Sequence, residues 1–320
     1  LKHLLSIEDL DRAAIERIVG QAERFSEVAD REIKKVPALR GRMVLNLFYE
    51  ASTRTRSSFE LAAKRLSADV VNFAASGSSV EKGESLKDTV LTLSAHKPDA
   101  IVLRTPWAGA AELVSCWCSA AIVNAGDGKH EHPTQALLDV YTLRRRLGDI
   151  DGASIWIVGD VAHSRVARSN IIAFQRMGAR VTVAGPPTLI PRAIEQLGCE
   201  VRYTLDELPG ADVVYALRMQ HERMDDTWVP SLREYAAWYQ INGRRLSDGQ
   251  VLMHPGPVNR GVELSGEVVD SPQAVITAQV EAGVVVRMAV LYDLLAGPRA
   301  PQAAGTAGGD REPISAGRLA

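Results

Sequence analysis

Short apolar runs, each followed by a stretch of helical periodicity, recur through this chain, and that alternation constrains its fold more than any other feature. Met43–Phe48 and residues 69–73, 100–103 and 121–124 read as short buried strands. A second series begins near Ile150, with Ser154–Val158, Arg180–Ala184, 211–217 and 250–253. Helical spacing is predicted over 57–66, 85–95, 133–147, 166–177 and 230–239, and also over 6–29 and 273–295 at either end. Strands alternating with helices are the mark of βα units. At about 150 residues per domain, the 320 residues suggest two domains, each able to bury its own core.

The turn after the first strand carries the most suggestive chemistry. From Phe48 it reads Tyr49-Glu50-Ala51-Ser52-Thr53-Arg54-Thr55-Arg56 and then enters a helix. Unpaired backbone N–H groups and the positive end of the helix dipole favour an anion at such a place, and hydroxyls with two arginines suit a phosphate. The same residues are equally ordinary N-caps and solvated charges, so the stretch alone leaves both readings open.

Lys and Arg number 37 against 39 Asp and Glu, a net charge of −2, so no global field recruits nucleic acid or an anionic membrane. Any anion site must be local. Three cysteines, Cys116, Cys118 and Cys199, show neither a disulfide framework nor a zinc spacing, which fits a reducing cytoplasm. The N-terminal leucines are interrupted by Glu8, Asp9, Asp11 and Arg12, unlike a signal peptide, and no run approaches the ~18 apolar residues of a membrane span.

Further cations stand where strands end. Arg104 closes the strand at 100–103, Arg165 opens a helix behind Ser154–Val158, and Arg218 follows the strand at 211–217 with Gln220 beside it. In open α/β sheets that edge is where ligands bind. Lys82 lies in a Ser/Gly-rich loop, 75–85, that reads as mobile surface, with a solvated connection the simplest account of it. His130 and His132 precede a helix begun by Pro133; no third and fourth ligand stand at a zinc spacing, and a histidine there suits hydrogen bonding to a ligand oxygen. Gly159 to Ser164 has one glycine where a dinucleotide fingerprint needs three. His254-Pro255-Gly256-Pro257 forms a rigid turn whose backbone can approach a ligand. The Pro/Ala/Gly-rich tail, 298–320, is expected to be disordered. So many strand-end cations in a near-neutral chain suggest substrates rich in carboxylate and phosphate.

Taken in order, Ser52-Thr53-Arg54-Thr55-Arg56, Lys82-Gly83-Glu84, Arg104 with Pro106, His132-Pro133-Thr134-Gln135, Arg218-Met219-Gln220 and His254-Pro255-Gly256-Pro257 resemble the motif set of the carbamoyltransferases. Within them the resemblance is to the aspartate carbamoyltransferase family. The ornithine family shares the S-x-R-T-R and H-P-x-Q motifs, yet has a His-Cys-Leu-Pro turn and a Ser-Met-Gly segment. The arginine and lysine found here suit a dicarboxylate and would repel the ammonium of ornithine.

The resemblance implies an α/β fold of two domains, each a mostly parallel sheet flanked by helices. Residues 1–133 with 285–297 would bind carbamoyl phosphate, and 134–284 L-aspartate. The implied reaction moves the carbamoyl group to the α-amine of aspartate, with no metal or organic cofactor. By the same resemblance, Ser52, Thr53, Arg54, Thr55 and Arg104 hold the phosphate, while Thr55, Arg104 and His132 face the carbonyl oxygen and Gln135 the carbamoyl amino group. Arg165, Arg218 and Gln220 clamp aspartate and Lys82 bridges both substrates. A homotrimer is implied in which Ser79 and Lys82 come from the neighbouring subunit, with regulatory chains or a dihydroorotase as candidate partners. Gly256 departs from the family by replacing a leucine found in some relatives. A carbamoyltransferase for another amino acid, or an inert scaffold homologue, are the competing readings.

Overall fold

The computed structural model describes residues 1–74, 83–220 and 228–296. Strands β1 (Met43–Phe48), β2 (Asp69–Ala74), β3 (Ala100–Thr105) and β4 (Ala121–Asp127) form one sheet in the order β2-β1-β3-β4, and every pairing is parallel. Strands β5 (Ser154–Val158), β6 (Arg180–Ala184), β7 (Glu200–Arg202), β8 (Val213–Ala216) and β9 (Val251–Met253) form a second, again parallel throughout, in the order β7-β6-β5-β8-β9. Parallel strands covered by helices on both faces are apolar along their length, which is why runs such as Val123 and Ile157 with their neighbours lack polar alternation.

The α-helices described are α1 (Arg12–Ala29), α2 (Thr53–Arg65), α3 (Leu86–Ser94), α4 (Ala110–Trp117), α5 (Pro133–Leu147), α6 (Arg165–Arg176), α7 (Leu232–Tyr239), the single turn α8 (Gly266–Val269) and α9 (Ile276–Leu295), with short 3-10 turns between some of them. Asp11 caps α1, its carboxylate accepting from the Ala14 N–H at 2.7 Å, and Ile15, Ile18, Val19, Ala22 and Phe25 form its buried stripe. That stripe packs chiefly on α5 and α9 rather than directly on strands. Helix α9 also meets α2 and α5 and buries residues on several sides, so it joins N-terminal and C-terminal parts of the chain in one core. Each fully buried Leu or Ile in that core contributes about 1.5–3 kcal/mol relative to exposure.

The predicted elements are present with shifted ends. Helix α2 starts at Thr53 rather than residue 57, so the hydroxyl and arginine run is the helix's first turn. Strand β7, α4 and α8 had no counterpart in the reading of the sequence. β7 has three residues at a sheet edge, too short for periodicity to register, and α4 ends in Ser115-Cys116-Trp117, without a clear apolar stripe. The loop carrying Ser79 and Lys82 and the tail at 298–320 lie outside the described residues.

Candidate active site

Because all strands in each sheet are parallel, their carboxyl ends share one edge. Ser52 follows β1, Arg104 is the penultimate residue of β3, and His132 follows β4. From the second sheet, Arg165 follows β5, Arg218 follows β8 and His254 follows β9. These ends face a single cleft of about 880 Å³. Every sequence-predicted site residue within the described part lines it: the N-cap Ser52 with Thr53, Arg54 and Thr55 from the first turn of α2, Arg104, His132 and Gln135 from the first βα series and α5, and Arg165, Arg218 and Gln220 from the second series. Ser79 and Lys82 lie outside the described residues.

Ser85, Ser164 and Ser231 each accept a bond from an amide of the helix they cap, whereas Ser52, the N-cap of α2, makes no such bond. Its hydroxyl and the first-turn N–H groups border the cleft, the geometry of an anion site. Arg54 reinforces it: partial desolvation, with the nearby Arg218 cation, lowers its pKa from the ordinary arginine value. Like charges on one cleft favour an anion that neutralises them. Gly256 brings backbone against the same group. It has φ +63°, and a Cβ there would stand 2.8 Å from Arg54 Nη1.

Glu50, in the β1–α2 turn, ties the two sheets together. Its Oε2 lies 3.3 Å from Arg104 Nε and accepts from Arg165 Nη2 at 2.5 Å. Arg104 Nη1 also donates to the Ala125 carbonyl at 3.2 Å. Arg165 is 3% exposed, so its charge is held in a desolvated place by a carboxylate from the other sheet. His132, 4% exposed, caps α5 without a side-chain bond to that helix, and its backbone N–H donates to Ser169 Oγ at 2.9 Å. The Gln220 N–H donates to Asp160 Oδ2 at 3.3 Å, and Asp160 Oδ1 pairs with His163 Nδ1 at 2.8 Å.

On the far wall, His254 is buried and its pKa is pushed down by that burial, against the opposing effect of Glu263. Its Nδ1 accepts from the Gly256 N–H at 2.8 Å, which leaves the proton on Nε2 to be donated to Glu263 Oε1 at 3.2 Å. Arg287 on α9 lines the cleft from below, donating to Ser58 Oγ at 2.8 Å with its guanidinium 5.0 Å from the Phe59 ring centroid. Glu50, Asp160, Glu263 and Arg287 escaped the reading of the sequence. Glu50 alone carried a local signal, as an acid within a basic turn. Among the described residues no group of three or more His, Cys, Asp or Glu could hold a metal ion, and His130 Nδ1 instead pairs with Asp127 Oδ2 at 3.0 Å. No described helix is long and apolar enough to cross a membrane.

The arrangement can bind a phosphate on a helix start, place cations and a histidine around an adjacent carbonyl, and hold carboxylates with arginines from the second sheet. Comparison with known proteins agrees. Residues 2–145 match the family model for the aspartate/ornithine carbamoyltransferase carbamoyl-P binding domain, and residues 151–294 the model for the Asp/Orn binding domain. An aspartate carbamoyltransferase catalytic subunit from Salinispora arenicola is 58% identical over 304 residues, 93% of this chain and 99% of the relative. A crystal structure of aspartate transcarbamoylase from Trypanosoma cruzi in complex with N-(phosphonacetyl)-L-aspartic acid is similar with TM-score 0.83 and 34% identity, covering 92% of this chain and 96% of that one. The catalytic subunit of M. jannaschii aspartate transcarbamoylase gives TM-score 0.82 and 38% identity, covering 93% and 99%. The chain belongs to the aspartate/ornithine carbamoyltransferase family.

Proposed function

We propose that the chain transfers the carbamoyl group of carbamoyl phosphate to the α-amine of L-aspartate, giving N-carbamoyl-L-aspartate and phosphate. The observation that carries this reading is the single cleft into which the phosphate-type helix start of the first sheet and the arginines of the second both open. Relatives named for this activity span nearly the whole chain, and a related structure, aspartate transcarbamoylase from Trypanosoma cruzi, is in complex with carbamoyl phosphate and aspartate.

In this reading Ser52, Thr53, Arg54 and Thr55 take the phosphate through N–H groups, hydroxyls and guanidinium, with Arg104 reaching phosphate and carbonyl oxygen. The aspartate amine attacks the carbamoyl carbon, and the C=O electrons move to oxygen, where Thr55, Arg104 and His132 stabilise the oxyanion. As that oxygen reforms its double bond the C–O bond to phosphate breaks, and the departing phosphate accepts the amine's proton. Gln135 accepts from the carbamoyl amino group, while Arg165, Arg218 and Gln220 hold the two carboxylates. Positioning supplies much of the rate.

The carbamoyl phosphate domain comprises 1–133 with 285–297, and the aspartate domain 134–284. Three chains assemble, and Ser79 and Lys82 enter a neighbour's cleft, with Lys82 bridging both substrates. The setting is cytoplasmic pyrimidine synthesis, with dihydroorotase or regulatory chains as candidate partners. Incubating the chain with carbamoyl phosphate and either L-aspartate or L-ornithine tests the reading: carbamoyl aspartate is expected to form and citrulline is not. Absence of carbamoyl aspartate at any enzyme concentration would remove the proposal.

A further inference from the structure

Behind the cleft sits a carboxylate that none of these roles uses. Asp139, on α5 one turn after Gln135, is fully buried, and its oxygens accept bonds from four side chains. Oδ1 takes Gln135 Nε2 at 3.1 Å and Gln279 Nε2 at 2.7 Å; Oδ2 takes Asn170 Nδ2 at 2.9 Å and the Tyr215 hydroxyl at 2.8 Å. These donors come from α5, α9, α6 and β8, so the carboxylate gathers both sheets' elements at one point.

Every partner donates, and an ionised carboxylate can only accept. An amide offers a donor on one side and an acceptor on the other, so a neighbour of this kind decides which way the amide faces. For Gln279 it leaves Oε1 to accept from the His254 N–H at 3.0 Å, at the start of the turn that borders the cleft. For Gln135 it turns Nε2 inward and leaves Oε1 for the cleft. A carbamoyl group differs from an acetyl group by NH2 in place of CH3, and that NH2 needs an acceptor.

We propose that Asp139 is the positioning residue that sets carbamoyl specificity, fixing the Gln135 amide with its oxygen outward so that an acyl phosphate with an amino group is preferred over one with a methyl group. The inference rests on the reading of Gln135 as the carbamoyl amino contact. Burial pushes the Asp139 carboxyl up to about 6, so holding it ionised is costly. Arg287, equally buried and with its pKa brought down to about 10, is the cation whose field offsets part of that cost. A neutral side chain would fill the same space without a buried charge, but only an acceptor-only group dictates the amide's orientation.

Asp139→Asn brings a donor into the cluster and frees Gln135 to present its NH2 to the cleft. The measurements are KM for carbamoyl phosphate and the competitive inhibition constants of acetyl phosphate and inorganic phosphate. The preference for carbamoyl over acetyl phosphate is expected to fall about tenfold, the worth of one good hydrogen bond, with inorganic phosphate inhibition unchanged. A loosened site would weaken all three ligands alike; that result, or an unchanged preference, overturns the proposal. Gln135→Ala run in parallel separates the two claims. Should it keep the preference, the Gln135 reading fails and the inference with it; should it lose the preference while Asp139→Asn keeps it, only the inference fails. If Asp139→Asn does not fold, the unaltered chain decides. Between about pH 7.5 and about pH 5 Asp139 takes a proton, while Tyr215 and Arg287, which face it, keep their charge states. The preference is expected to fall through a midpoint near 6, and a flat profile overturns the proposal.

Discussion

The guanidinium of Arg54 is governed by two neighbours, the cation of Arg218 and the backbone of Gly256. Glycine is required there twice over, for its φ of +63° and because a methyl group would stand 2.8 Å from Nη1. The flexible end of the arginine is what would yield. Gly256→Ala is therefore expected to fold at a cost of about 1 kcal/mol in strained backbone. It should raise KM for carbamoyl phosphate several-fold by pushing Arg54 off the phosphate, with inorganic phosphate inhibition weakened in parallel. Steady-state kinetics with a thermal melt check both, and unaltered phosphate affinity would break the link between this turn and Arg54. Ser52, Arg54 and Arg104 were legible as candidates because the chemistry of a helix start or strand end is local. Asp139 and Gln279 were not, since an acid or amide on a helix has the same sequence signature facing water or facing the core.

At the level of elements, some helix starts here carry a side-chain cap bond and others, Ser52 and Ser265 among them, do not; of these two only Ser52 lines the cleft. Asp11 bonds the Ala14 N–H and caps α1, far in the chain from any candidate catalytic group; Ser52 bonds no amide of α2. Asp11→Ala is expected to lose about 1 kcal/mol of stability with activity intact. Ser52→Ala should leave the melting temperature nearly unchanged and weaken carbamoyl phosphate binding. Denaturant titration beside kinetics tells them apart: a stability loss for Ser52→Ala as large as for Asp11→Ala would return Ser52 to the rank of an ordinary cap. The long elements were readable because their apolar spacing repeats, whereas β7 and α8 are too short to show a period and exist because neighbours hold them.

For the whole molecule, the Glu50 bridge to Arg104 and Arg165 joins groups from two sheets, so the cleft is complete only when both sheets are in register across it. The proposed trimer extends that dependence to a second chain. Lys82→Ala is expected to assemble normally and lose most activity, as is Arg54→Ala. Mixing the two after dissociation should restore part of it, because some clefts then receive an intact Lys82 beside an intact Arg54. A mixed assembly with no recovered activity would argue against a shared site. The sequence by itself determined the βα order, the hydroxyl and arginine run behind the first strand and the kinds of side chain at the strand ends, since these depend on residues within a turn or two of one another. Only the tertiary structure decided that parallel alignment brings those ends to one cleft. It also decided that Glu50 meets Arg165, 115 residues away, and that Asp139 meets Gln279, 140 residues away. No local period encodes such contacts; they exist because packing two sheets and α9 into one core removes water from these groups and leaves them each other as partners.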